Sequence, residues 1–160
     1  MRILVISDTH GHWEGARQVL EQVGSIDALI HCGDLCGDER RIRSVVTCPC
    51  YMVAGNNDYF TDLKKDLLLE FEGHRLLVVH GHRQRVSYGM ENLYFRARED
   101  QAGVVLFGHT HQPFLEWQGG ILFANPGSLT YPRQLGHEKT YLLLELAEGR
   151  VPEAETGVLH

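Results

Sequence analysis

A chain of 160 residues, 43% hydrophobic and 22% charged, has the length and composition of one globular domain, residues 1–160, with a substantial core. Fifteen Lys and Arg against 21 Asp and Glu give a formal charge of −6, which opposes diffuse binding to a phosphate backbone, so no long nucleic acid is expected as a partner. No apolar run nears the roughly 20 residues that span a bilayer, and Met1-Arg2 leads straight into a strand pattern, so no membrane contact and a cytoplasmic location are expected.

Arg2 to Ser7, through Ile3-Leu4-Val5-Ile6, reads as a buried strand, and His12 to Val23 carries Ala16, Val19, Leu20 and Val23 at helical spacing. A second strand at Ala28 to Cys32 completes a βαβ unit. Asp38 to Val46 is a second helix, with Glu39, Arg40, Arg41 and Arg43 outward and Ile42, Val45 and Val46 inward, and Tyr51 to Ala54 is a third strand. From Asp66 the pattern changes: Leu67 to Phe71 and Arg75 to Val79 flank the turn Glu72-Gly73-His74, a hairpin signal that makes the sheet mixed. Met90 to Gln101 is a third helix facing inward through Leu93, Tyr94 and Ala97. Strands follow at Val104 to Phe107, Phe114 to Trp117, Ile121 to Ala124 (after a turn at Gly119-Gly120) and Thr140 to Leu146. Beyond Glu148 the chain is polar, and its pattern does not decide between a further strand and a frayed end. Helices early and hairpins late imply an α/β sandwich of two facing sheets with helices outside. Cys32, Cys36, Cys48 and Cys50 match no common zinc spacing and read as reduced thiols.

Five of the strand patterns run into residues that can bind metal: Asp8 and His10, Asp34, Asn56, His80, and His109 with His111. Ligands in α/β proteins collect at the carboxyl ends of strands, so these seven should converge on one edge of the fold. Gly33 lets the backbone turn so that Asp34 reaches inward, and the two oxygens of its carboxylate can bridge two cations. The mixture of imidazole nitrogen with carboxylate and amide oxygen suits Mn, Fe, Zn or Ni better than Ca or Mg. A single Asp-x-His or strand-end His is ordinary; seven such residues, all at strand ends, are not.

The ordered set Asp8-x-His10, Gly33-Asp34, Gly55-Asn56-Asn57-Asp58, His80-Gly81 and Gly108-His109-Thr110-His111 resembles the calcineurin-like metallophosphoesterases. The small size, His80-Gly81-His82 and Asn125-Pro126-Gly127-Ser128 make the chain similar to their compact, YfcE-type phosphodiesterase branch. The resemblance implies a four-layered αββα sandwich with two facing mixed β-sheets. It also implies two divalent transition-metal ions, Mn foremost with Ni, Zn or Fe as alternatives. Asp8, His10 and His111 would hold one with Asp34, and Asn56, His80 and His109 the other, with Asp34 bridging. The activity implied is hydrolysis of a small phosphoester, foremost a phosphodiester, by in-line attack of a metal-bridging hydroxide. Alternatives are a phosphomonoesterase or nucleotidase, or a non-catalytic scaffold like the retromer subunit that shares the fold; a homo-oligomer is left open.

The chain departs from the family at Asn57, where many members carry a His credited with protonating the leaving group or stabilising the transition state. An amide can donate to a phosphoryl oxygen but has no titratable proton near neutrality. Asp58 is then the residue expected to orient the site, with loop capping as the plainer reading. His12, His82, Arg83 and Arg85 are candidates for contact with substrate. Asn125-Pro126-Gly127-Ser128 reads as a turn, His31 and His74 as structural, and Trp13 as either a wall of the site or a staple of the first helix.

Overall fold

The computed structural model describes residues 1–160. Its elements are β1 (Arg2–Ile6), α1 (Glu14–Val23), β2 (Ala28–His31), α2 (Glu39–Val45), β3 (Cys50–Met52), β4 (Asp66–Phe71) and β5 (His74–Val79). A 3-10 turn at Val86–Tyr88 follows, then α3 (Glu91–Glu99), β6 (Val104–Leu106), β7 (Pro113–Gln118), β8 (Ile121–Pro126), β9 (Thr140–Glu145) and β10 (Glu153–Val158). The strands form two five-stranded sheets, in the orders β10-β9-β1-β2-β3 and β4-β5-β6-β8-β7.

Both sheets are mixed. β1, β2 and β3 run parallel in the first, and β5, β6 and β8 in the second, with antiparallel strands outside them. The middles of the parallel strands are unbroken apolar runs, such as Ile3 to Ile6, Leu76 to Val79 and Val104 to Leu106, because both of their faces are covered. Ile3, Val5, Ile30 and Leu142 of the first sheet pack across the interface against Val78, Leu106 and Ala124 of the second. Their neighbours Leu4, Ile6 and Leu29 point the other way, onto Ala16 and Val19 of α1 and Ile42 of α2. On the far side Leu77, Val79, Val105 and Phe107 meet Leu93 and Ala97 of α3. This is the helix–sheet–sheet–helix order of the expected αββα sandwich, and removing a buried side chain such as Ile6 by Ile6→Ala should cost about 2–5 kcal/mol.

The differences from the sequence reading lie at ends and edges. α1 starts at Glu14 because His12 still closes a turn on the Thr9 carbonyl, and α3 is shorter by a residue or two at each end. The polar tail does form a strand, β10, paired antiparallel to β9 along its whole length. Its sequence looks unlike a strand because it is an edge, with Glu153, Glu155 and Thr156 exposed and only Ala154 and the last two residues half-buried. β8 continues through Asn125 and Pro126, both buried, so two residues read as a turn belong to the sheet. No helix is long and apolar enough to cross a membrane.

Candidate metal centre

The carboxyl ends of β1, β2 and β3 meet those of β5 and β6 along one edge, and the seven expected ligands stand there. Asp8, His10, Asp34, His109 and His111 all have left-handed backbones, with φ of 55°, 47°, 59°, 71° and 58°. Non-glycine residues rarely adopt that region, and five together mark a place where the surrounding structure overrides local preference. The overriding bonds are visible. Asp8 N donates to Gly33 O at 3.0 Å and His10 N to Asp34 O at 2.9 Å, lacing the first loop to the second. Ser128 Oγ donates to Asp8 O at 2.8 Å, Thr130 Oγ1 to Thr9 O at 2.9 Å, and Asn125 Nδ2 to Gly108 O at 2.9 Å. Two glycines allow the close approach: a Cβ on Gly33, whose φ is 102°, would sit 2.7 Å from His80 Nδ1, and one on Gly108 would sit 2.1 Å from Ser7 Oγ.

Ligand atoms of Asp8, His10, Asp34 and His111 lie within 4.8 Å of one another. His10 Nε2 is 3.1 Å from His111 Nε2, and His111 Nε2 is 3.2 Å from Asp8 Oδ1. Beside this group Asn56 Oδ1 lies 3.0 Å from His80 Nε2 and 3.2 Å from His109 Nδ1. Asp34 Oδ2 stands between the two groups, 3.6 Å from His10 Nε2 and 3.4 Å from His80 Nε2.

The hydrogen bonds behind the imidazoles fix what faces the centre. His111 Nδ1 is 2.8 Å from the Tyr131 carbonyl and His80 Nδ1 is 2.7 Å from the Cys32 carbonyl. A carbonyl only accepts, so both Nδ1 atoms carry hydrogen, and each ring in its neutral form turns a bare Nε2 lone pair inward. His80 Nε2 therefore faces the Asn56 amide oxygen acceptor to acceptor, and His111 Nε2 faces Asp8 Oδ1, a buried oxygen with no hydrogen-bond donor. Lone pairs so opposed are held together by positive charge, whether a proton on the ring or a metal ion between them. The donor set and its orphaned oxygen fit a divalent cation.

The ionisation of the carboxylates agrees. Burial pushes Asp8 up, but the imidazoles of His10, His111 and His80 and the Ser7 hydroxyl outweigh it and hold the group well below the usual carboxylate range. Burial likewise raises Asp34, and His80 and the two Asn57 donors bring it down to about 2. His80 is lowered by burial yet raised on balance by Asp34 and Asp8, whereas burial and the His80 charge lower His109.

Asp58 does more than cap a loop. Its Oδ2 accepts from Asp34 N at 2.8 Å and Gly55 N at 2.7 Å, and its Oδ1 from Cys36 N at 2.7 Å, so one carboxylate ties the Asp34 loop to the Asn56 loop. Asn57 donates to Asp34 twice, from its backbone at 2.9 Å and from Nδ2 at 2.8 Å. The ring of His82 lies 5.3 Å from that of His80 and 6.1 Å from that of His109, and its Nδ1 is buried without a partner. His12 is exposed, its Nε2 3.2 Å from the Tyr131 hydroxyl. The arginines are engaged elsewhere: Arg83 pairs with Asp66 of β4 at 3.6 Å, and the Arg85 guanidinium lies 5.7 Å from the Tyr88 ring centre.

Tyr131 was not singled out from sequence, although its carbonyl sets the His111 tautomer and its ring lies 5.5 Å from that of His10. Cys36, read only as a thiol, has its Sγ 3.6 Å from His10 Nδ1. The available signal was the run of short hydrogen-bonding side chains, Asn125, Ser128 and Thr130, directly after a buried strand. His31 and His74 are structural as expected. His31 is fully buried, accepts from Gly33 N at 3.1 Å and donates to the Thr9 hydroxyl at 3.0 Å, and burial lowers its pKa to about 3. Trp13 packs into the core beneath α1, and all four cysteines are free thiols.

Residues 1–149 match the model of the calcineurin-like phosphoesterase superfamily domain. The chain is 37% identical over 147 residues to the probable metallophosphoesterase YsnB of Bacillus subtilis, covering 91% of this chain and 85% of that protein. It is 29% identical over 172 residues to phosphodiesterase YfcE of Escherichia coli K12, covering 91% and 88%. Among solved structures, a conserved uncharacterised Streptococcus pneumoniae protein assigned as a phosphoesterase superposes with a TM-score of 0.81 at 26% identity, over 98% of this chain and 97% of that one. Vps29 of Entamoeba histolytica shares the fold over the full length of both chains, with a TM-score of 0.79 at 23% identity. With the motif order, the αββα layers and the histidine–aspartate centre in agreement, the chain belongs to the calcineurin-like phosphoesterase superfamily.

Proposed function

We propose that this phosphoesterase is a phosphodiesterase acting on a small phosphoester at a two-metal centre. Asp8, His10 and His111 would hold one divalent ion with Asp34, and Asn56, His80 and His109 the other, Mn foremost with Ni, Zn or Fe as alternatives. The observation that carries this reading is the set of opposed lone pairs, with the donorless Asp8 Oδ1 among them. When bound, such a pair of cations supplies Lewis acidity toward phosphoryl oxygens and lowers the pKa of a water for in-line attack.

The chain's own residues position that chemistry. The Asp58 clamp sets the spacing between Asp34 and Asn56, and the carbonyls of Tyr131 and Cys32 keep His111 and His80 in the ligating tautomer. Asn57 steadies both oxygens of Asp34, and the second hydrogen on its Nδ2 is free to donate to a phosphoryl oxygen. It cannot protonate a leaving group, so substrates with good leaving groups should react fastest. The phosphodiesterase naming of the YfcE relative supports the diester over the monoester.

The test is a panel of aryl and alkyl phosphodiesters and phosphomonoesters, assayed on metal-free protein refilled with Mn, Ni, Zn, Fe or Mg. Aryl diesters should be cleaved fastest, with a steep fall as the leaving group's pKa rises. Faster turnover of monoesters assigns the site to a phosphomonoesterase or nucleotidase. The full-length likeness to Vps29 keeps a scaffold as the second reading, and a metal-filled protein that cleaves nothing in the panel would establish it.

A further inference from the structure

The imidazoles of the centre are not all fixed in the same way. His111 and His80 each give an Nδ1 hydrogen to a main-chain carbonyl, that of Tyr131 and that of Cys32, which the fold holds in place. His10 has a side chain behind it instead: its Nδ1 faces Cys36 Sγ at 3.6 Å. The Tyr131 ring stands edge-on to the His10 ring, with centres 5.5 Å apart and planes at 63°. Both neighbours come from other loops, Cys36 from the one after β2 and Tyr131 from the one after β8.

Cys36 is held where it stands. Its φ of 54° lies in the left-handed region that non-glycine residues rarely adopt, and its N–H is anchored on Asp58 Oδ1 at 2.7 Å. Gly11 N, one residue past His10, donates to Leu35 O at 3.0 Å, so the two loops run side by side where the thiol meets the ring. A thiol has one hydrogen to give and a sulfur that accepts, weakly in both roles. Its hydrogen goes to Asn57 O, 3.8 Å from Sγ, because a carbonyl can only accept, and the sulfur lone pairs are left for His10. Nδ1 of His10 is then the nitrogen that carries hydrogen, and Nε2, 3.1 Å from His111 Nε2, turns a bare lone pair to the centre. Tyr131 is held as firmly, since its N–H donates to Ser128 Oγ at 2.9 Å while its carbonyl takes the His111 hydrogen.

Building on the two-metal reading, we propose that Cys36 and Tyr131 are positioning residues for His10, the thiol selecting Nε2 as its ligating nitrogen and the ring fixing its plane. They do for this ligand what main-chain carbonyls do for His111 and His80. The chain of contacts from His10 Nδ1 through Cys36 Sγ to Asn57 O also joins a ligand of one ion to the loop that carries Asn56, a ligand of the other.

The test is zinc titration of the metal-free protein beside Cys36→Ala, Cys36→Ser and Tyr131→Ala, by calorimetry and by NMR of the imidazole nitrogens, which tells the two ions apart by the rings that shift. Cys36→Ala should weaken the ion held by Asp8, His10 and His111 roughly ten-fold and leave the other within about two-fold. Cys36→Ser, whose hydroxyl also accepts and donates, should restore most of that loss. Tyr131→Ala keeps the carbonyl that His111 uses and should weaken the same ion by roughly three-fold. In the zinc-loaded state the His10 Nδ1 hydrogen should be visible in the unmodified protein and in Cys36→Ser, and lost to exchange with water in Cys36→Ala. Unchanged affinity for both ions in either alanine variant, or an equal loss at both, overturns the proposal and leaves the metal centre standing. A loss in Cys36→Ala that serine does not restore assigns the thiol to packing and also overturns it. Absence of zinc binding by the unmodified protein removes the metal-centre reading and the proposal with it.

Discussion

The two halves of the centre are built differently. Asp8 and His111 are 0% and 4% exposed, and their loops are tied by side chains from the segment Asn125 to Thr130 as well as by backbone bonds to the Asp34 loop. Asn56 is exposed and His109 half-buried, and the loop bearing Asn56 is held to the Asp34 loop by two carboxylates, those of Asp58 and Asp34. The first half, like His80 of the second, is set by the fold, whereas the Asn56 arm of the second half is set by a few polar contacts that a single substitution can weaken.

The largest effect should therefore follow from cutting the clamp. Asp58→Ala leaves the N–H groups of Asp34, Gly55 and Cys36 without their acceptor. Metal content should fall toward one ion per chain and kcat/KM by roughly 10–100-fold, with the Asn56 half emptied first. Two retained ions at unchanged affinity in metal analysis would break the comparison.

A second test sharpens the buried half. His31 lies beneath Thr9 and Gly33 and stays neutral in the fold, with a pKa lowered to about 3 from an ordinary 6.5 because of burial. The unfolded chain then binds more protons between those values, so its contribution is fully present above pH 6.5 and is lost as the pH falls toward 3. His31→Gln keeps an acceptor and a donor without the titration. In urea unfolding of the metal-free proteins, the stability of the unmodified chain relative to this variant should drop by about 1.4 kcal/mol per pH unit below 6.5. A difference that is flat from pH 7 to 4 would mean that His31 takes up its proton in the folded state.

Much of this was legible in the sequence, for a physical reason. Strands buried on both faces announce themselves as unbroken apolar runs, so β1, β2, β5 and β6 and the ligand after each could be read directly. β10 was not legible because an edge strand needs few apolar residues, and its pairing partner β9 supplies the order. The buttress from Asn125 to Tyr131 was not legible because its bonds reach across 15 to 121 positions in the chain, to Asp8, Thr9, Gly108, Thr110 and His111. Position after a ligand did not reveal what Arg83 contacts, since its partner Asp66 belongs to a neighbouring strand.

The smallest effect is expected at the arginines. With Arg83 on Asp66 and Arg85 on Tyr88, Arg83→Ala and Arg85→Ala should each change kcat/KM by less than about two-fold at unchanged metal content. A loss near ten-fold in either would show that the side chain leaves its partner to bind the substrate anion.

That Asp34 joins the two halves can be tested by metal titration of the metal-free protein beside Asp34→Asn. The unmodified protein should bind two Mn ions per chain, and both should bind more weakly in the variant, because Asp34 Oδ2 stands between His10 and His80. One ion per chain in the unmodified protein, or full occupancy at unchanged affinity in Asp34→Asn, would contradict it.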